Sequence, residues 1–234
     1  MGGLRVLVTG GSRGIGRAIA LRFAREGARV AVAARNSGQL DAVVKEIEAA
    51  GGKGRAQQMD VADHGSVEAA VWRAVEFTDG SLDVLVNNAG VFSVKPFDKL
   101  DLATWKRHLQ VNLDGPFYVT SEALDALLQG SRPHLFNISS VSGKRAYPGG
   151  VAYSTTKYGL RGFSDALRED LKDQGVRVST VYPGPTDTSI FDGVPGNWDR
   201  SKMNKPEDVA EVVWRAYNAP DGQDVADLDV PPPA

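Results

Sequence analysis

A glycine-rich turn near the start constrains this chain more than any other stretch. Leu4 to Val8 form a short, Val-centred apolar run that reads as a buried strand. Thr9-Gly10-Gly11-Ser12-Arg13-Gly14-Ile15-Gly16 follows; Ile15, Ile19 and Phe23 then recur at helical spacing, and Gly27 stands where a C-cap glycine belongs. Strand, turn and helix in that order point unpaired N–H donors and the positive end of a helix dipole at a turn with few side chains, which suits a phosphate group. Glycines alone are a weak sign, because any tight turn uses them for its dihedrals. Their place between a strand and a helix strengthens the reading.

The same alternation continues. Strands are predicted at Arg29–Ala34, Arg55–Met59, Leu82–Val86, His134–Ile138 and Arg177–Val181, with a seventh, edge strand in Val225–Val230. Between them, Leu40, Val43, Val44 and Ile47 mark a helix ended by Gly51-Gly52, and Val67, Val71, Ala74 and Val75 mark another with Asp63 as N-cap. A long helix over Leu102–Leu128, bent at Pro116, a helix over Tyr153–Lys172 and a last one over Pro206–Tyr217 complete the pattern. Repeated strand–helix units predict an α/β fold: one doubly wound parallel sheet, with helices on both faces, formed by residues 1–234 as a single domain. In such sheets ligands bind where the strands end.

Two post-strand segments and one helix carry chemistry. Asn87-Asn88-Ala89-Gly90 reads either as a turn or as a site where Gly90 makes room for a sugar. Tyr153 and Lys157, four apart on a helix, share a face, and Ser140 ends the preceding strand thirteen residues before the tyrosine. A lysine cation beside a phenol favours the phenolate, so the Tyr153 pKa is expected to fall from ~10 toward working pH. A phenol so tuned can exchange a proton with a carbonyl/alcohol couple, and a serine hydroxyl can steady the charge on the oxygen.

The ordered set Thr9-Gly10-x-x-x-Gly14-x-Gly16, Asn87-Asn88-Ala89-Gly90, Asn112, Ser140, Tyr153-x-x-x-Lys157 and Pro183-Gly184 resembles the short-chain dehydrogenase/reductase family, across residues 4 to about 188. The resemblance implies a Rossmann-like fold and a catalytic tetrad. In it Tyr153 is the acid/base, Ser140 orients the substrate, Lys157 tunes Tyr153 and binds the nicotinamide ribose, and Asn112 holds a relay water. It also implies cofactor contacts: Gly10, Ser12, Arg13, Gly14, Ile15 and Gly16 around the phosphates, Asp60 and Val61 at the adenine, Asn87, Ala89 and Gly90 along the ribose, and Pro183, Gly184, Thr186 and Thr188 at the nicotinamide. Thr186 departs from the family's usual Val or Ile. The family's substrate lid falls on residues 189–204, short enough to suggest an open pocket, and carries Phe191 and Trp198.

NAD-specific dinucleotide folds place a carboxylate after the second strand. Here that strand runs into Arg35, with no acid, and Arg13 stands in the glycine turn; together they favour NADP(H), with NAD(H) possible. Oxidation or reduction of a small carbonyl/alcohol substrate is the expected activity. A non-catalytic dinucleotide sensor would tend to lose the tyrosine or lysine. A sugar-nucleotide epimerase would need more than the about forty-five residues after Thr188.

Composition adds exclusions. A net charge of −2 gives no reason to expect nucleic acid or a membrane surface as partner. There are no cysteines, and no His/Asp/Glu cluster has metal-ligand spacing, so no metal site is expected. His64, His108 and His134 are expected to be solvated or packed, and Lys144 and Arg145 to lie on a solvated loop. Trp72, Trp105 and Trp214 fall on helical patterns as core or interface residues. With no apolar run of membrane-spanning length and no leader before the first strand, a cytoplasmic chain is expected. The family's pairing helices, carrying Trp105, Phe117, Leu124 and Leu127, imply a homodimer or homotetramer.

Overall fold

The computed structural model describes residues 3–196, 198–223 and 225–233; Met1 and residue 197 of the lid fall outside them. Seven strands, β1 (Arg5–Thr9), β2 (Arg29–Ala34), β3 (Lys53–Gln58), β4 (Val84–Asn87), β5 (His134–Ile138), β6 (Arg177–Pro183) and β7 (Asp227–Val230), form one sheet in the order β3-β2-β1-β4-β5-β6-β7. Every neighbouring pair is parallel. Alternation along each strand divides the core. Val6, Val8, Val30, Val32, Val84 and Val86 face one layer with Phe23, Val213 and Tyr217, while Leu7, Ala31, Leu85 and Leu135 face the other with Val71, Val119 and Leu127.

The first layer comprises α1 (Gly14–Ala24), α2 (Ser37–Ala49) and α7 (Pro206–Tyr217). The second contains α3 (His64–Phe77), α4 (Leu102–Leu109), α5 (Gly115–Leu128) and α6 (Val151–Leu171). Successive crossovers reverse direction between β1 and β4, so a crevice opens above the carboxyl ends of those two central strands. Thr9 ties the ends together: its hydroxyl accepts from the Asn88 and Ala89 amides at 3.0 and 3.1 Å.

The long predicted helix is divided. A π-turn over Gln110–Asp114 separates α4 from α5, and Pro116 lies in the first turn of α5, where its missing N–H costs no hydrogen bond. The break is therefore at Asn112, not at the proline. One apolar expectation also shifts: Leu127 is fully buried, so it cannot serve an interface. Trp72, 65 % exposed on α3, is not a core residue. No helix among the described residues is long and apolar enough to cross a membrane.

Candidate active site

The turn after β1 is shaped by crowding. Gly10 has φ +63°, and a Cβ there would come within 2.8 Å of the Asn88 amide nitrogen and 2.9 Å of the Ala89 Cα. Asn88 holds the turn by donating to the carbonyls of Thr9 (2.9 Å) and Gly10 (3.2 Å). The helix that follows is also left open at its N-terminus. Asn36, Asp63 and Asp101 cap α2, α3 and α4 through their side chains, whereas Arg13 at the head of α1 makes no such bond. First-turn N–H groups of α1 thus remain for a ligand, and an anion is the ligand their dipole favours. The residues fit a dinucleotide diphosphate.

A cleft of about 850 Å³ runs from this turn along the carboxyl edge. It brings together most of the residues expected from sequence. Gly10, Ser12, Arg13, Gly14, Ile15 and Arg35 line one end; Asp60, Val61, Ala89 and Gly90 follow; Ser140, Tyr153, Lys157, Pro183, Gly184, Thr186 and Thr188 line the other. Three expected residues stand behind the wall. Gly16 packs under Gly10, where a Cβ would lie 2.4 Å from its carbonyl oxygen. Asn87 is buried and donates to Thr120 Oγ1 (3.0 Å) and Asn137 Oδ1 (2.9 Å), leaving Asn88 to face the cleft.

Asn112 is the third. Its amide donates to the Val91 carbonyl (2.9 Å) and Thr156 Oγ1 (3.1 Å), and its Oδ1 accepts from the Val91 N–H at 2.8 Å. With the side chain committed to pinning the loop after β4 onto α6, any relay water would need the main chain that the π-turn rearranges.

At the reacting end, burial decides the electrostatics. Tyr153 is pushed up to about 12 by burial, with a hydrogen bond to Ser140 pulling the other way. Burial lowers Lys157 to about 8; its Nζ donates to the Ile138 carbonyl at 2.8 Å and stands 5.6 Å from the centre of the Tyr153 ring. The spacing of Tyr153 and Lys157 predicts a phenol lowered by the lysine. Here burial is the dominant influence and the Ser140 hydrogen bond opposes it, so the phenol keeps its proton at neutral pH. Ser140 Oγ accepts from the Ser142 N–H at 3.1 Å, which fixes it at the end of β5.

Phe92, Tyr147 and Arg107 also line the cleft and were not legible as site residues. Arg107 reaches Asp60 at 3.5 Å. Burial, then the nearby Tyr153 phenol, raises the Tyr147 hydroxyl, which has no hydrogen-bond partner among the described residues. His108 is packed, as expected, but against the site: its ring centroid lies 6.5 Å from that of Tyr153, and burial lowers its pKa. Lys144 is engaged elsewhere, donating to Asp229 at 2.7 Å.

The sequence matches the short chain dehydrogenase family over residues 5–196. The chain belongs to that family. It is 37 % identical over 209 residues to a 3beta-hydroxysteroid dehydrogenase of Mediterraneibacter gnavus, covering 89 % of this chain and 72 % of that one. It is 36 % identical over 216 residues to a 3-oxoacyl-(acyl-carrier-protein) reductase of Aquifex aeolicus, covering 88 % and 87 %. A short-chain dehydrogenase of Burkholderia cenocepacia, solved in complex with NADP, superposes with a TM-score of 0.86 at 36 % identity, covering 97 % of this chain and 96 % of that one. This short-chain dehydrogenase is therefore an oxidoreductase acting on a CH–OH/C=O couple.

Proposed function

We propose that the chain is an NADPH-dependent reductase of a small-molecule carbonyl compound, with Tyr153, Ser140, Lys157 and Asn112 as its catalytic set. The observation that carries this is one cleft lined both by the protonated, buried Tyr153 and, toward the glycine turn, by Arg13 and Arg35. When bound, the nicotinamide supplies the hydride. The chain does the rest. Tyr153 donates its phenolic proton to the carbonyl oxygen as negative charge builds there, and the Ser140 hydroxyl bonds the same oxygen. Lys157, held by Ile138, presents its Nζ beside Gly90, where a ribose hydroxyl would lie, and as an ammonium stabilises the phenolate left when the proton is given up. Asn112 keeps the loop after β4 in register with Lys157.

Cofactor choice rests on the end of β2. No carboxylate follows Ala34, Arg13 and Arg35 both line the cleft, and neither has an ion-pair partner among the described residues. A 2′-phosphate would be held by both; charged hydrogen bonds of ~1.5–3 kcal/mol each supply ~10²-fold preference after screening. The NADP-bound Burkholderia relative is consistent with this. Fluorescence titration tests it: NADPH binds ~10²-fold more tightly than NADH, and Ala34→Asp with Arg35→Ser reverses the order. Equal affinities in the native chain would remove the argument from the two arginines.

The same reading includes self-association. Leu102, Phe117 and Tyr158, at 64 %, 55 % and 43 % exposed, lie on α4, α5 and α6, with Phe163 beside Phe117 at 6.4 Å. A second copy covers this apolar face. Light scattering at micromolar concentration gives a dimer or tetramer mass, and a monomer mass would exclude it.

A further inference from the structure

The two halves of the cleft differ in chemistry. Toward the glycine turn its lining includes Arg13, Arg35, Asp60 and Arg107; beyond Tyr153 it is lined by Phe92, Val141, Tyr147, Ile190, Phe191 and Trp198. Phe92 stands edge-on to Tyr153, with ring centroids 4.8 Å apart and planes at 73°. Phe191 and Trp198 come up from the lid, 5.4 and 6.0 Å from Phe92 and 4.9 Å from each other. The lid is braced there: Arg200 binds Asp187 (2.9 Å) and Asp192 (2.6 Å), fixing the segment that delivers both rings. A short lid predicts an open pocket, yet this one packs on Phe92.

The charged groups around this half are already paired, while the Tyr147 hydroxyl in its lining has no hydrogen-bond partner among the described residues. The Trp198 indole N–H donates to the Val194 carbonyl at 3.1 Å, so the ring offers the cleft its apolar faces. Lys95 is paired with Asp101, Lys144 with Asp229, and Arg200 with the lid's own carboxylates. Lys157, bonded to Ile138, is the one cation among the described lining residues of this half. A substrate carboxylate seated among these rings would have Lys157, already bonded to the Ile138 carbonyl, as its one nearby cation, and would be desolvated at a cost that weakens binding. Ring edges and faces, by contrast, complement another ring better than an alkyl chain.

We infer that the Phe92–Phe191–Trp198 cluster makes this site selective for an uncharged carbonyl compound whose carbonyl sits next to an aromatic ring system. The reaction rests on the reductase reading above; the binding preference rests on the rings alone. These three residues are specificity determinants that touch substrate beside the proton donor.

The test compares kcat/KM, with NADPH, for acetonaphthone, a straight-chain methyl ketone of equal carbon count, acetoacetate and propanal. Acetonaphthone exceeds acetoacetate by ~10²-fold and the alkyl ketone by ~10-fold. Phe92→Leu and Trp198→Ala each lower the acetonaphthone value ~10-fold more than the propanal value. Unchanged melting temperature and NADPH affinity confirm that the variants fold; Phe92→Leu, which keeps an apolar side chain, stands in if Trp198→Ala does not. Turnover of acetoacetate equal to that of acetonaphthone, or equal losses on propanal, overturns the inference and leaves the reductase reading standing. Calorimetric titration of acetonaphthone into the NADPH complex separates the opposite case. Binding weakened by Phe92→Leu, without turnover of any carbonyl, upholds the ring preference and sinks the reductase reading; absence of binding sinks the ring preference.

Discussion

The two edges of the sheet handle polar groups in opposite ways. At the amino edge, where β1 and β4 begin, charge is buried and answered. Asp83, 3 % exposed at its side chain, accepts from Arg5 Nε (2.9 Å), Arg5 Nη2 (2.8 Å), the Arg5 N–H (3.0 Å), and the Ser131 N–H and hydroxyl (2.9 Å each). Burial alone would raise this carboxyl; the hydrogen bonds from Arg5 and Ser131 hold it at about 2. Nearby, His134 opens β5, fully buried, stacked on Phe136 at 3.9 Å and bonded through Nε2 to Ser179 at 2.7 Å, its Nδ1 without a partner among the described residues. At the carboxyl edge, Tyr153 and Lys157 are shifted by burial with few partners, and Arg13 and Arg35 have no ion pair among the described residues. A satisfied group stabilises the fold and does nothing further; an unsatisfied one can still act on a ligand.

That contrast breaks most visibly at Tyr153. Tyr153→Phe keeps the ring that packs on Phe92 but removes the proton, so turnover falls by ~10²-fold or more while melting temperature and NADPH affinity hold. Steady-state kinetics beside a thermal melt and a cofactor titration show it; near-native turnover would move the acid/base role to another group. Asp83→Asn gives the mirror image. It turns a five-fold acceptor into an amide facing the same donors, and costs about 2 kcal/mol of stability at pH 7 with NADPH affinity unchanged. The sign follows from a folded pKa below the unfolded one. Asp83's contribution is complete above about pH 4 and is lost as pH falls through about 2. Denaturant melts at pH 7 and pH 3 should therefore differ more for the native chain than for Asp83→Asn.

The smallest effect belongs to His134. Burial, then the positive charges of Arg177 and Arg132, holds its pKa well below the usual 6.5, so below that pH the unfolded chain takes up a proton that the folded chain refuses. Its contribution is full above pH 6.5 and drains away as pH falls, by at most ~1.4 kcal/mol per pH unit. His134→Leu should flatten the dependence of stability on pH between 6.5 and 5. An unchanged slope would mean that another group sets it.

Where the fold was legible, the signal was local. β2, β5 and α7 begin and end where apolar period and first-turn chemistry place them. Asp63 caps α3 by accepting from the Ser66 N–H at 3.0 Å, as its position announces. The π-turn at Gln110–Asp114 was not legible, because one extra residue in a helical turn leaves the apolar period nearly intact, while Pro116 draws attention to itself. Asn87 and Asn88 show the same limit in a strand. Adjacent side chains point to opposite faces, and which of the pair meets Gly10 depends on how β4 registers with β1, Val86 opposite Val8. Phe92 and Tyr147 join the site through tertiary approach alone. The one hint was that Phe92 lies two residues past Gly90, at a strand end where ligands collect. The burial that shifts Tyr153 and Lys157 belongs to the assembled cleft and could not be read from their spacing.

The Asn88 side chain, bonded to the carbonyls of Thr9 and Gly10, bears on the thermodynamics of whatever anion the turn holds. A glycine-rich segment is the most expensive kind of chain to order, at ~1–2 kcal/mol of backbone entropy per residue or more. That cost is met when the protein folds, because Asn88 and the Thr9 hydroxyl already hold the turn against β4. Association then has no loop to freeze. Its entropy term is set by the ligand and by released water, and the turn behaves as a rigid receptor rather than a closing clamp.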